Sequence, residues 1–251
     1  LCPDERDEAA DLIILAVKNH HLAAAIEEIR PFVGPGTHLL SLLNGIDSEM
    51  ILGREFGMEK MLYSFIVATD AVRIGTGIQY SNIGKIVFGE KGMSDPSPRV
   101  EMIRALLESA GIPCETPKDI LRELWWKFMM NVGVNQTSAI LKAPYGVYAR
   151  SQTARDLMRD ACLEVVRIAE KAGIPLVEAD IDACFKILSG LSADKKTSML
   201  QDVEACRKTE AEAFAGTIIR LGQEYGVQTP VNQVLYKMIR IIEENYPCHS
   251  L

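Results

Sequence analysis

The hydrophobic periodicity of this chain changes once, near Pro117, and that change constrains its fold more than any single motif does. Before it, short apolar runs alternate with helical patterns. Residues 11–17 (DLIILAV) read as a buried parallel strand, continuous and apolar. Residues 20–31 follow with helical spacing, Gly34-Pro-Gly36 makes a turn, and residues 38–43 form a second strand ending at Asn44-Gly45. Asp47 or Ser48 can cap a short helix running to about Glu55. Strand, helix, strand, helix is the signature of a parallel α/β sheet. Residues 61–69 make a further strand, residues 77–81 and 85–89 suggest a meander joined by Asn82-Ile-Gly84, and Pro96 or Pro98 opens a helix to about Ala110. Residues 112–115 are a last short strand. From there on only helices are predicted, over 118–141, 151–172, 178–189, 198–225 and 231–245. The expectation is an α/β Rossmann-type domain over 1–117, followed by an all-α C-terminal domain over 118–251.

Composition narrows the function. The chain has 251 residues, 48% of them hydrophobic, and a net charge of −7, which suits one large globular domain or two modest ones. The acidic balance argues against a nucleic-acid partner, which would need a basic face. No apolar run approaches the roughly 20 residues of a membrane span. The acidic start is unlike the basic opening of a signal peptide. Six cysteines form no CxxC pair, so reduced structural thiols in a cytoplasmic protein are expected. The four histidines have no HxxxH spacing, and no metal site is expected. The chain opens on Leu1, with a strand almost at once, as the middle of an α/β domain would. Further chain before Leu1 is therefore expected.

Two polar constellations stand out in the helical part. In the helix over 118–141, Glu123, Lys127, Asn131 and Asn135 recur every four residues, forming one stripe that drifts by about 40° per step. Most other faces are apolar, with Trp125, Trp126, Phe128, Met129, Met130 and Val132 among them. A solvated face with a favourable Glu123–Lys127 pair is one reading. The other is a polar pocket, because asparagine is a poor helix former whose donor and acceptor suit a ligand. A lysine in such a pocket could polarise a carbonyl or protonate an alkoxide. The second constellation is KTSMLQD at 196–202. Ser198 is a plausible N-cap with Gln201 at N3 of a capping box, and a helix N-terminus also suits an anion. Glu210, twelve residues on in the same predicted helix, is by spacing alone a solvated carboxylate.

The run KTSMLQDVEACRKTEAE (196–212) resembles the C-terminal signature of ketopantoate reductases, and so does LGQEYGVQTPVNQVLY (221–236). ELWWKFMMNVGVN (123–135) is similar to their Lys-x3-Asn-x3-Asn helix, and DLIILAVKN (11–19) and LLNGIDSE (42–49) to two strand ends of their Rossmann domain. The resemblance covers essentially the whole chain in order. It implies NADPH-dependent reduction of 2-dehydropantoate, a small 2-oxo acid, to pantoate, on the route to pantothenate and coenzyme A. By matching position, Lys127 would be general acid and carbonyl polariser. Asn131, Asn135, Ser198 and Glu210 would bind substrate, with Glu210 also helping to position the lysine. Lys18 and Asn44 would lie on the cofactor side, with Asn44 also contacting substrate, at strand ends where open α/β sheets bind ligands. Helical second domains of dehydrogenases often associate, so a homodimer is expected.

The sequence departs from the family pattern in three places. Neither Gly34-Pro-Gly36 nor Gly75-Thr-Gly77 is the family's Gly-x-Gly-x-x-Gly loop, which is expected upstream of Leu1 with the residues that choose NADP over NAD. Ala215-Gly216 stands where the family's Asn-Gly is expected, and Tyr145-Gly146 where some members are expected to have Asn-Gly. Two rivals follow: a reductase of another 2-oxo acid, and a non-catalytic protein associating through its helical domain.

Overall fold

The computed structural model describes residues 8–69, 71–74, 76–92 and 95–247. They form two compact units that divide between Leu124 and Trp125.

In the first unit, β1 (Leu12–Leu15), β2 (His38–Ser41), β3 (Met61–Thr69), β6 (Ile83–Gly89) and β7 (Cys114–Glu115) make one sheet in the order β1-β2-β3-β6-β7. β1, β2 and β3 run parallel, β6 is antiparallel to β3, and β7 is parallel to β6. Successive residues of β2 serve opposite faces, as the period of a strand requires. Leu39 packs with Leu22 and Ile26 of α1 (Leu22–Ile29) and Leu52 of α2 (Ser48–Phe56). Leu40 packs with Val100, Ile103 and Leu107 of α3 (Pro98–Ser109). Helices thus cover both faces of the sheet, the doubly wound arrangement expected for a Rossmann-type domain.

Two expectations need correction here. β1 is shorter than residues 11–17 and pairs only with β2 among the described residues, so Ile14 and Val17 are partly exposed rather than buried. The meander is also different. β4 (Val72–Ile74) and β5 (Gly77–Gln79) form a separate two-stranded hairpin, while β6 begins at Ile83 and returns along β3. Gly84, with φ of 76°, lies against the β3 backbone, which lets one strand include what the sequence reads as a connecting turn.

The second unit is helical. α4 (Ile120–Leu141), which belongs to this unit from Trp125 on, is followed by α5 (Tyr145–Arg150), α6 (Gln152–Lys171), α7 (Glu178–Gly190), α8 (Ser198–Glu204), a π-helical segment (Glu212–Gly216), α9 (Thr217–Tyr225) and α10 (Pro230–Glu244). α4 and α6 pack closely at Gly133, where a Cβ would come within 2.4 Å of Cys162 Sγ. Among the described cysteines, Cys114, Cys162, Cys184 and Cys206 are free thiols, and Cys162 and Cys184 are buried. Cys2 and Cys248 lie outside the described residues.

The helix predicted over 198–225 is interrupted. α8 stops in a Schellman motif: Arg207 N–H donates to Asp202 O at 2.8 Å and Cys206 N–H to Val203 O at 3.1 Å, with Cys206 left-handed at φ 52°. Arg207 then donates to the Asp202 carboxylate at 2.9 Å. Thr209 binds Glu243 of α10 through both its N–H (2.8 Å) and its hydroxyl (2.7 Å), and accepts from Ala211 N–H as the chain turns helical again. A residue other than glycine holds the left-handed position, so no punctuation in the sequence marks the stop.

A buried polar knot lies beside the turn after β2. Ser41 and Ser48 hydroxyls are 2.7 Å apart, Ser48 donates to Glu49 Oε2 at 2.9 Å, Ser64 N–H to Glu49 Oε1 at 3.4 Å, and Ser64 Oγ to Ser41 O at 2.9 Å. Glu49 is 1% exposed, and burial pushes its carboxyl from 4.5 up to about 7, against the pull of these hydrogen bonds. A raised folded-state value means that the folded protein holds this proton more tightly than the unfolded chain. The stabilising contribution is full below 4.5 and is lost as pH rises through about 7. Glu49→Gln, which cannot ionise, should gain stability relative to the parent by roughly 3 kcal/mol between about pH 5 and pH 8, read from denaturant titrations at each pH.

Candidate active site

The first unit brings two of the expected residues to one edge of its sheet. Leu15 pairs with Ser41 in the parallel β1–β2 register, and Lys18 and Asn44 each lie three residues beyond that pair. Both are therefore at the carboxyl ends of neighbouring parallel strands, where open α/β sheets receive ligands. Asn19 Nδ2 donates to Asn44 O at 2.8 Å and ties the two loops together. Gly45, at φ 98°, makes the turn that follows Asn44, a conformation available at little cost only to glycine. Lys18 and Asn44 are half-buried.

In the second unit the polar stripe of α4 is buried. Lys127 is 9% exposed, Asn131 8% and Asn135 6%, which excludes a solvated face for these three. Glu123 does lie at the surface, where it accepts from Arg122 at 3.2 Å. Burial of an ammonium and two side-chain amides along one side of a helix is costly unless each has polar company. From Lys127 to Asn135 the stripe rises about 12 Å.

Glu210 is also buried, at 5% exposure, so the solvated-carboxylate reading does not hold. It directly precedes the helical restart, whose Phe214 meets Phe128 of α4 with ring centroids 6.5 Å apart. That contact brings the segment bearing Glu210 to the Lys127 end of the stripe. The π-helical turn over Glu212–Gly216 lies at this junction, an irregularity frequent at functional sites.

Thr197, the residue before Ser198, meets the other end of α4. The N-cap of α8 is Thr197, whose hydroxyl accepts from Leu200 N–H at 3.1 Å; Ser198 is instead the first helical residue and is exposed. The expected capping box is absent: Gln201 falls one residue past the third position and turns back to Lys196 O at 3.3 Å. Two adjacent hydroxyl residues offer equivalent caps in sequence, and the packing of Thr197 selects between them. Thr197 Oγ1 donates to Ser138 Oγ of α4 at 3.1 Å. Because α8 and the restart are separate elements, Ser198 and Glu210 do not lie along one helix.

Sequence reasoning passed over several buried polar residues that frame this arrangement. Asn232, in the Thr-Pro-Val-Asn run, donates to Glu164 Oε2 at 2.7 Å and accepts from Gln136 Nε2 at 2.9 Å. The Glu164 carboxylate also accepts from Val231 N–H at 2.8 Å and Asn232 N–H at 3.0 Å, capping α10 at its start. The signal available in sequence was Pro230 at a helix start, which is in fact the first residue of α10. Among the described residues no group of three or more His, Cys, Asp or Glu is placed to hold a metal ion, and no helix is long and apolar enough to cross a membrane.

Comparison with known proteins gives a consistent picture. Residues 2–92 match the family described as ketopantoate reductase PanE/ApbA, and residues 119–243 match its C-terminal counterpart. A 2-dehydropantoate 2-reductase of Aquifex aeolicus is 29% identical over 239 residues, covering 93% of this chain and 76% of that protein. The crystal structure of 2-dehydropantoate 2-reductase from Geobacter metallireducens is similar with a TM-score of 0.84 and 26% identity, over 93% of this chain and 78% of that one. D-mandelate dehydrogenase, solved with NADH, shares the fold with a TM-score of 0.87 at 24% identity, over 95% of this chain and 80% of that one. With both halves matched in order along one polypeptide, the chain belongs to the ketopantoate reductase family and is an oxidoreductase of the 2-dehydropantoate 2-reductase kind.

Proposed function

We propose that this protein reduces 2-dehydropantoate to pantoate with NADPH, on the route to pantothenate and coenzyme A. The observation that carries the reading is the burial of Lys127, Asn131 and Asn135 along one stripe of α4, with buried Glu210 on the segment that packs beside it. Bound NADPH supplies a hydride to the ketone carbon. As that bond forms, the carbonyl π pair moves onto oxygen, and the Lys127 ammonium polarises the carbonyl and then gives its proton to the alkoxide. Low exposure strengthens this interaction, because little water competes for the developing charge. Asn131 and Asn135 hold substrate polar groups, Ser198 binds substrate from the start of α8, and Glu210 accepts from a substrate hydroxyl and orients the lysine. Lys18 and Asn44 serve the cofactor side. An ammonium and a side-chain amide at adjacent strand ends fit a ligand bearing phosphates and a carboxamide.

Reduction of a different 2-oxo acid is the second reading, and it rests on Tyr145-Gly146, where some members of the family are expected to have Asn-Gly. The other departure supports it less, since Ala215 is fully buried and presents no surface to a ligand.

Three measurements on the full-length protein test these assignments. Lys127→Ala should lower kcat by about 10²–10⁴-fold, the scale of general acid catalysis, and near-normal turnover would refute its role. Glu210→Ala should act chiefly on substrate binding and raise the KM for the oxo acid; an unchanged KM would count against that role. Steady-state comparison of 2-dehydropantoate with pyruvate-like and branched oxo acids, using NADPH and NADH in turn, should show preference for 2-dehydropantoate and NADPH. Equal use of the other acids would favour the second reading.

A further inference from the structure

The segment leading into α8 is clasped onto the corner between α4 and α5. Tyr145 N–H donates to Lys195 O at 3.0 Å and Gly146 N–H to Ala193 O at 2.9 Å. The approach is close enough that a Cβ on Gly146 would lie 2.8 Å from Ala193 Cβ. Beyond these backbone bonds runs a chain of hydroxyls with a single direction. Leu200 N–H donates to Thr197 Oγ1 (3.1 Å), Thr197 Oγ1 to Ser138 Oγ (3.1 Å), and Ser138 Oγ to Ala143 O (2.6 Å). Each hydroxyl has one proton, and each proton is committed, so the chain has one orientation. Both side chains are buried, Ser138 at 0% and Thr197 at 1% exposure, where an unmade hydrogen bond is costly.

The chain's position matters because of what flanks it. Ser138 is three residues past Asn135, on the same side of α4 and about 4.5 Å further along. Thr197 directly precedes Ser198. Thr197, Met199 and Leu200 are buried while Ser198 alone among them is exposed, so the clasp determines where that hydroxyl is presented. We infer that Ser138 and Thr197 are positioning residues, whose hydroxyl chain sets Ser198 against the Asn135 end of the stripe and thereby tunes affinity for the 2-oxo acid. The inference rests on Ser198 binding substrate, as proposed above.

The test uses the full-length protein, with kcat and the KM for 2-dehydropantoate and NADPH measured for Ser138→Ala, Thr197→Ser, Ser198→Ala and the Ser138→Ala/Ser198→Ala double variant. Ser138→Ala leaves the Thr197 cap in place but removes the far end of the chain. It should raise the KM for the oxo acid roughly tenfold, with little change in kcat or in the KM for NADPH. Thr197→Ser, which keeps the hydroxyl, should behave as the parent. In the Ser198→Ala background, Ser138→Ala should add nothing, because the group it positions is gone. An unchanged KM in Ser138→Ala, or an effect that persists undiminished without the Ser198 hydroxyl, overturns the inference. If Ser198→Ala raises KM and Ser138→Ala does not, only the clasp is refuted. If Ser198→Ala itself leaves KM unchanged, the substrate role of Ser198 falls and the inference falls with it. Should Ser138→Ala fail to fold, Thr197→Val read against Thr197→Ser, with thermal melting as the control for folding, decides the same question.

Discussion

Helix α4 is buried from residues 131 to 139 without interruption, and the arrangement of the second unit follows from what that burial demands. A helix enclosed on every side needs a neighbour that can approach its backbone and partners for each polar group it carries. Gly133 provides the first, since any side chain there would collide with Cys162 and Met158 of α6. Successive residues of a helix point about 100° apart, so consecutive polar residues must find partners on different elements. Gln136 reaches Asn232 of α10 at 2.9 Å, Thr137 meets the Tyr148 hydroxyl of α5 at 2.6 Å, and Ser138 joins the Thr197 cap of α8 at 3.1 Å. Three adjacent residues thus fix three surrounding helices against one axis.

Gln136 Nε2, Thr137 and Ser138 have hydrogen-bond partners, while Gln136 Oε1 is buried without one. Glu164 likewise serves α10, accepting two backbone N–H groups and the Asn232 amide. Lys127, Asn131 and Asn135 form a stripe with Ser138 near its far end, and their spacing matches the family pattern. Hydrogen-bonded cross-braces fix the helix that carries that stripe.

In the first unit, a comparable role falls to the knot of Ser41, Ser48, Glu49 and Ser64. It joins the end of β2 to the first turn of α2 and to β3, and so encloses the turn carrying Asn44 and Gly45. A carboxyl buried among hydroxyls and a backbone amide, with its ionisation pushed up to about 7, makes the stability of this corner sensitive to pH near neutrality.

The alternation of strand and helix before Pro117, the all-helical remainder and the Lys-x3-Asn-x3-Asn stripe were legible in the sequence. Period-2 and period-3.6 patterns are local consequences of which face is buried. The family pattern likewise resided in short contiguous runs. The pairing of β6 along β3, the break after α8 and the identity of its cap were not legible, because no local signal distinguishes the alternatives. Cys206 adopts a left-handed turn without glycine, and Thr197 and Ser198 are equivalent caps until Ser138 engages one of them. Whether Glu210 and the stripe were solvated or buried was also beyond periodicity, since a polar residue at helical spacing reads alike in either case. The sequence by itself determined the alternation of strand and helix, the all-helical remainder and the family to which the chain belongs. Tertiary structure alone decided which polar groups lost their water, because burial depends on elements far apart in the chain coming to cover the same face.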